Sequence, residues 1–154
     1  EYYERIEAIQ FTMAHDDGKK IDDLSVADII LLGVSRTSKT PTSIYLANRG
    51  YKTVNIPLVL EQRIPEDLYT NKTSCIIGLI ADPERLSDIR RNRVAIMQDQ
   101  NLKEYTDLEF IKKEVEDSKK LFKKNSWPII DVTRRSVEET AASILKIIEI
   151  KKHK

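Results

Sequence analysis

Apolar residues along this chain fall into two patterns, short unbroken runs and longer stretches spaced three or four apart, which predict strands alternating with helices. Ile29-Ile30-Leu31-Leu32 stops at Gly33, and Cys75-Ile76-Ile77-Gly78-Leu79-Ile80 ends just before Asp82-Pro83. A shorter run, Trp127 to Val132, reads Trp-Pro-Ile-Ile-Asp-Val. Unbroken apolar runs bounded by turn residues suit strands covered on both faces, as in a parallel sheet. Lys52 to Ile56, stopped by Pro57, is expected as a further strand.

The spaced stretches predict the helices. In Glu1 to His15, Tyr2, Ile6, Ile9 and Met13 follow a helical period, although Ile9, Phe11 and Met13 also alternate as a strand would. A helix ended by Gly18 is the favoured reading. Thr42 to Asn48 is expected as a short helix with Ile44 and Ala47 inward, closed by Gly50. Leu58 to Asn71 contains Pro65 and reads as a connection with one helical turn. Asp82 and Pro83 suit the N-cap and first position of the next helix, and the weakly patterned Val94 to Thr106 suits a flexible lid tip. Asp107 to Lys124 predicts a long amphipathic helix with Phe110, Ile111, Val115, Leu121 and Phe122 on its buried side. In the last helix Ser136 and Glu139 form a capping box, and Ala141, Ile144, Leu145 and Ile148 make the core face. Lys151 to Lys154 reads as a disordered, charged tail. The expectation is therefore an α/β fold, a P-loop-kinase-like parallel sheet flanked by helices, in a single nucleotide-binding domain over residues 1–154.

Composition narrows the function classes. A chain of 154 residues can bury one sizeable core. Its 26 basic and 25 acidic residues nearly balance, which argues against nucleic acid as the main partner. No apolar run approaches the length of a membrane span, and no signal-like segment is present. The single cysteine, Cys75, lies in an apolar run; this suggests a structural role in a reducing, cytoplasmic setting, with a catalytic thiol as the alternative.

The candidate chemistry begins where the first strand stops. Gly33-Val34-Ser35-Arg36-Thr37-Ser38-Lys39-Thr40 fits the phosphate-binding loop G-x-x-x-x-G-K-[ST] with one mismatch, Ser38 in place of the second Gly. In such a loop, successive backbone N–H groups and a helix N-terminus converge on an anion. The Lys reaches the outer phosphates, and the Ser/Thr hydroxyl holds Mg²⁺. The same residues would also suit a Ser/Thr-rich turn capping a helix, with Lys39 in solvent. Ser38 carries a steric penalty if the loop needs positive φ there. Pro41 biases Thr40 away from helical geometry, so the helix is expected to take Thr40 as N-cap and Pro41 as its first residue, with Lys39 just outside.

Other polar clusters could serve this loop. His15-Asp16-Asp17-Gly18 places an imidazole and two carboxylates in a turn, able to bind Mg²⁺ or to accept a hydroxyl proton, or to act as a plain polar turn. Asp82 and Asp131 fall at strand ends. In parallel sheets ligands sit at the carboxyl ends of the strands, so Gly33–Thr40, Asp82 and Asp131-Val132-Thr133 are expected to converge on one edge. Arg85, Arg90, Arg91 and Arg93 could clamp transferring phosphates from a lid, or form a solvated basic face. Strand–loop–helix order alone permits a small-molecule kinase or a non-catalytic nucleotide-binding module.

The run Gly33 to Ser43 resembles the signature of the bacterial and plant regulatory proteins of pyruvate, phosphate dikinase and phosphoenolpyruvate synthase. So do Arg5-Ile6-Glu7-Ala8, His15-Asp16-Asp17-Gly18, Asn55-Ile56-Pro57-Leu58, Ile77-Gly78-Leu79, Asp82-Pro83-Glu84-Arg85-Leu86, Ile130-Asp131-Val132-Thr133 and Ser136-Val137-Glu138-Glu139-Thr140-Ala141. The Ser at position 38 is that family's own pattern. The resemblance implies that the chain is the C-terminal part of a longer protein. It also implies a bifunctional enzyme: a serine/threonine kinase that uses ADP as donor, and a phosphorylase that removes the same phosphate with inorganic phosphate, releasing pyrophosphate. The protein substrate would be the dikinase or the synthase, with a membrane partner excluded and a homodimer left open. Gly33 to Thr40 would bind the phosphates, Lys39 would act in both directions, Thr40 would help place Mg²⁺, and Asp16 or Asp17 would accept the threonine proton.

Overall fold

The computed structural model describes residues 2–16, 24–59, 64–97 and 106–152. Its elements follow in the order α1 (Tyr2–Ala14), a 3-10 turn (Leu24–Val26), β1 (Ile29–Gly33), α2 (Lys39–Asn48), β2 (Thr53–Pro57), α3 (Asp67–Thr70) and β3 (Cys75–Ile80). Then come α4 (Pro83–Met97), α5 (Leu108–Lys124), β4 (Ile129–Asp131) and α6 (Val137–Lys152). The α/β class expected from the apolar runs is what forms: a four-stranded sheet of order β2-β1-β3-β4, parallel at every pairing. Among the described residues no helix is long and apolar enough to cross a membrane.

The order of the strands follows from their burial. All five residues of β1 are buried, and β1 occupies an inner position, with Ile29 aligned to Thr53 on one side and to Cys75 on the other. The chain leaves β1 toward β2, then returns across the sheet to β3. The loop after β1 therefore lies at the switch in direction, where open parallel sheets bind ligands. Right-handed crossovers place the helices on both faces: α2 packs against α1 and α6, while α4 packs on α5, and α5 on β3. Cys75 begins β3 at the edge opposite that loop, buried as a structural residue would be.

Several helix surfaces differ from the expected ones. On α1 the buried residues are Ala8 and Thr12, while Tyr2 and Met13 are exposed. These small side chains let α1 approach β2, where Thr12 Oγ1 accepts the Thr53 N–H at 3.1 Å. On α2 the inward face is Lys39, Thr42, Ser43, Leu46 and Ala47, a 3-4-7-8 spacing that leaves Ile44 exposed. β4 is shorter than the run from Trp127 to Val132; the Trp127 N–H donates to Phe122 O at the end of α5, and its ring stacks on Tyr69. The charged tail continues α6 through Lys152 instead of fraying at Lys151. The proposed lid segment is helical to Met97, and its remainder at 98–105 lies outside the described residues, as does Gly18.

Where caps were legible they form. Asp82 Oδ2 accepts the Arg85 N–H at 3.2 Å, and Ser136 and Glu139 bond reciprocally; Asp107, expected inside its helix, instead caps α5 through the Glu109 N–H. The tightest packing is α5 on β3. A Cβ added at Gly78 would lie 2.3 Å from a carbon of the buried Phe122 ring, so the ring occupies the space that glycine leaves. Gly78→Ala should lower unfolding free energy by about 1–3 kcal/mol, read from the midpoint of denaturant unfolding, because neither the strand nor the ring can shift without disturbing its neighbours. An unchanged midpoint would show that α5 slides freely over the sheet.

Candidate functional site

The turn after β1 is held from within. Thr37 folds back so that its Oγ1 donates to Val34 O at 2.8 Å, and Lys39 Nζ donates to the same carbonyl at 2.8 Å and to Thr37 Oγ1 at 3.3 Å. This turn needs Gly33. A Cβ there would stand 2.7 Å from Thr37 Oγ1 and 2.8 Å from the Leu79 carbonyl oxygen. Two non-glycine residues of this turn adopt left-handed backbone, Arg36 at φ 71° and Ser38 at φ 62°, ψ 28°. The steric penalty expected at Ser38 is therefore present, and surrounding bonds over-determine the turn.

Lys39 is 5 % exposed, which rules out the solvated capping turn. The helix also starts earlier than Pro41 suggested. Ser38 is the N-cap, Lys39 the first helical residue, and the first intrahelical bond runs from Thr42 N–H to Ser38 O at 3.1 Å. Pro41 falls in the first turn, where its missing N–H leaves no helical bond unmade. Lys39 is thus inside the helix and not before it. Among the described residues, the N–H groups of Thr37, Ser38 and Thr40 bond to no protein carbonyl. They stand at the positive end of the α2 dipole, the arrangement that attracts an anion. Ser35, Arg36, Ser38, Lys39, Thr40 and Pro41 line a cleft of about 390 Å³, with Pro57 and Ile89 as its apolar walls.

A carboxylate reaches this loop from the far end of α1. Asp16 Oδ1 accepts the Thr40 hydroxyl at 3.0 Å, and Asn55 Nδ2 donates to the same oxygen. Asn55 is fully buried on β2 and also donates to Ser43 Oγ at 3.3 Å, while Ser43 Oγ donates to Thr40 O. Neighbouring His15 takes another course: its Nδ1–H donates to Phe11 O at 2.7 Å and its ring stacks on Phe11, closing the helix end. Asp17 lies outside the described residues. The apolar pattern gave no hint of Asn55, a buried amide within a strand that otherwise reads as apolar.

The expected convergence of three polar clusters is only partial. Asp82 N–H donates to Thr133 Oγ1 at 2.8 Å, and Thr133 bonds to Asp131 Oδ1 through both its N–H and its hydroxyl. Asp82 and Asp131 line a second cleft against α5 that shares no residue with the first. Asp82 and Asp131 satisfy local groups there, and among the described hydrogen bonds neither reaches the turn after β1. Nor do the arginines act alike: Arg85, Arg91 and Arg93 are exposed, but Arg90 is buried beneath the loop.

A parallel α/β protein with an amide-lined, lysine-bearing turn at its switch point is the class that fold and site define. The chain belongs to the kinase/pyrophosphorylase family, whose model matches residues 1–145. It is 65 % identical over 154 residues to a protein of Pelagibacter ubique (strain HTCC1062), covering 99 % of this chain and 56 % of that one. Identity is 53 % over 146 residues with a protein of Erythrobacter litoralis (strain HTCC2594), covering 95 % and 52 %. It is 47 % over 148 residues with one of Caulobacter vibrioides, covering 96 % and 47 %. All three are named as pyruvate, phosphate dikinase regulatory proteins, and the chain spans about half of their length.

The backbone at Ser38 can be probed directly. Ser38→Gly should leave stability within about 1 kcal/mol of the parent, since glycine adopts this φ without a Cβ clash. Ser38→Val should cost at least about 1–2 kcal/mol, a β-branched residue being a genuine outlier there. Thermal unfolding of the two variants measures the difference; equal melting of both would mean that the turn relaxes out of the left-handed region.

Proposed function

We propose that this chain carries the phosphate-handling site of a bifunctional regulatory enzyme acting on pyruvate, phosphate dikinase or phosphoenolpyruvate synthase. The observation that carries the proposal is the buried Lys39 at a helix N-terminus, beside N–H groups that bond to no described carbonyl. Family membership and the names of the relatives support the same reading.

In the kinase direction, the threonine hydroxyl oxygen of the target attacks the β-phosphorus of ADP. The bond to the AMP oxygen breaks, and the hydroxyl proton passes to a base. In the phosphorylase direction, an oxygen of inorganic phosphate attacks the phosphorus of the phosphothreonine. The bond to the threonine oxygen breaks, that oxygen takes up a proton, and pyrophosphate leaves. Both directions place a phosphoryl group between two oxygens in line, so one cradle serves both. The loop amides hold non-transferring oxygens, and Lys39 exchanges the Val34 carbonyl for a phosphate oxygen as charge shifts in the transition state.

The donor set around Thr40 suits Mg²⁺. Among the described residues no three His, Cys, Asp or Glu side chains cluster, so the described residues build no all-protein metal cage. One carboxylate, Asp16, and one hydroxyl, Thr40, are in place, and Mg²⁺ takes few protein ligands besides phosphate and water. When bound it would neutralise phosphate charge. Asp16, directed to Thr40 by Asn55, serves the metal side of the site, and its nearness to the loop also lets it accept the threonine proton.

Lys39→Ala should lower kcat/KM in both directions by about 100-fold or more with the circular dichroism spectrum unchanged. Unaltered turnover in a folded variant would overturn the proposal. Asp16→Asn should reduce kcat about 100-fold and raise the Mg²⁺ concentration needed for half-maximal rate. A loss of kcat at constant metal requirement would assign Asp16 to proton transfer alone, and full activity would remove it from the site.

A further inference from the structure

Arg90 is 1 % exposed, and its guanidinium joins three parts of the molecule. One terminal nitrogen donates to Glu114 Oε1 on α5 at 2.7 Å; the other donates to the carbonyl oxygen of Ser35, in the phosphate loop, at 3.1 Å. The Glu114 side chain is only 9 % exposed, so both members of this ion pair are withdrawn from water. Such a pair contributes little net stability compared with apolar residues of similar volume. Its placement needs another explanation, and the Ser35 contact supplies one.

A trans peptide is planar, with its C=O and the following N–H pointing in opposite directions. Fixing the Ser35 carbonyl toward Arg90 therefore turns the Arg36 N–H away from the buried pair, and Arg36 is the first residue of the turn with positive φ. Val34 and Ser35 present two consecutive carbonyls, whose negative ends would oppose an incoming phosphate. Each is held by a buried cation: Val34 by Lys39, Ser35 by Arg90. On the reading above, Lys39 leaves its carbonyl to meet the phosphate. Arg90 has no such errand, because Glu114 anchors it. The preceding residue, Ile89, forms a wall of the cleft, so α4 supplies both the wall and the tether.

We propose that Arg90 is a positioning residue for phosphate binding, holding the loop's backbone in its anion-accepting form while Glu114 fixes the guanidinium. The inference rests on the phosphate-loop reading. A planar fork satisfies a carboxylate and a carbonyl at once; the single ammonium of a lysine cannot reproduce that geometry. The cost of losing the tether falls on affinity for phosphate-bearing ligands, not on the fold.

Pyrophosphate titration calorimetry on the intact protein tests this with three variants. Lys39→Ala is the control for the loop reading and should abolish measurable binding. The double variant Arg90→Met, Glu114→Met replaces the ion pair with apolar side chains of similar volume. It should melt at or above the parent temperature and yet bind pyrophosphate about 10- to 100-fold more weakly, the range expected for loss of a hydrogen bond from a charged donor. Arg90→Lys should show the same weakening, and carries the test where the double variant melts low. Parent-like affinity in a folded double variant or in Arg90→Lys, with Lys39→Ala inactive in binding, would overturn the tether and leave the loop reading standing. Parent-like affinity in Lys39→Ala would overturn both.

Discussion

Two consecutive carbonyls at the end of the central strand, each gripped by a buried cation, are the constraint on which the rest of the site depends. An unshielded turn of this kind would leave the carbonyls of Val34 and Ser35 without these cationic partners. Lys39 and Arg90 occupy those oxygens at 2.8 and 3.1 Å, so the turn can close over Gly33 and start α2 with its N–H groups directed outward. Burying two cations is costly unless each is hydrogen-bonded, and both are. The same bonds stabilise left-handed backbone at Arg36 and Ser38, which glycine would adopt more easily.

The remaining elements set the distances around this turn. β1 lies between β2 and β3, so the loop emerges at the switch in chain direction. The Thr12–Thr53 bond draws α1 against the outer strand and brings Asp16 to Thr40, while Asn55 holds the carboxylate from below. On the other face the Phe122 ring fills the space over Gly78 and seats α5, which in turn places Glu114 under Arg90. One side of the sheet thus supplies a carboxylate to the loop and the other supplies a guanidinium. The sheet joins two separately packed layers at the turn after β1.

Local signals in the sequence carried most of the fold. β3 begins and ends where its apolar run does, and Asp82 and Ser136 cap the helices they precede. The strand–turn–helix around Gly33 was legible because its residue types are needed at fixed spacing. What escaped depends on partners distant in the chain. Arg90 read as a lid arginine, since its acid lies 24 residues away on a helix whose pattern puts Glu114 on the polar side. Ile44 read as buried because an apolar residue is the obvious choice, yet the α2 face under the loop is lined by Thr42 and Ser43. Pro41 misplaced the helix start, because steric bias on Thr40 is weaker than the tertiary bonds that fix Lys39 and Thr40.

The central claim is that this turn handles a phosphoryl group in transit to and from a protein. The most direct test follows the β-phosphoryl of ADP, radiolabelled at that position, on incubation of the intact protein with Mg²⁺ and dephosphorylated pyruvate, phosphate dikinase or phosphoenolpyruvate synthase. The account predicts label on a threonine of the target, and its recovery as labelled pyrophosphate when unlabelled inorganic phosphate replaces ADP. Label transferred instead to a small molecule, or nucleotide bound without any transfer, would contradict it.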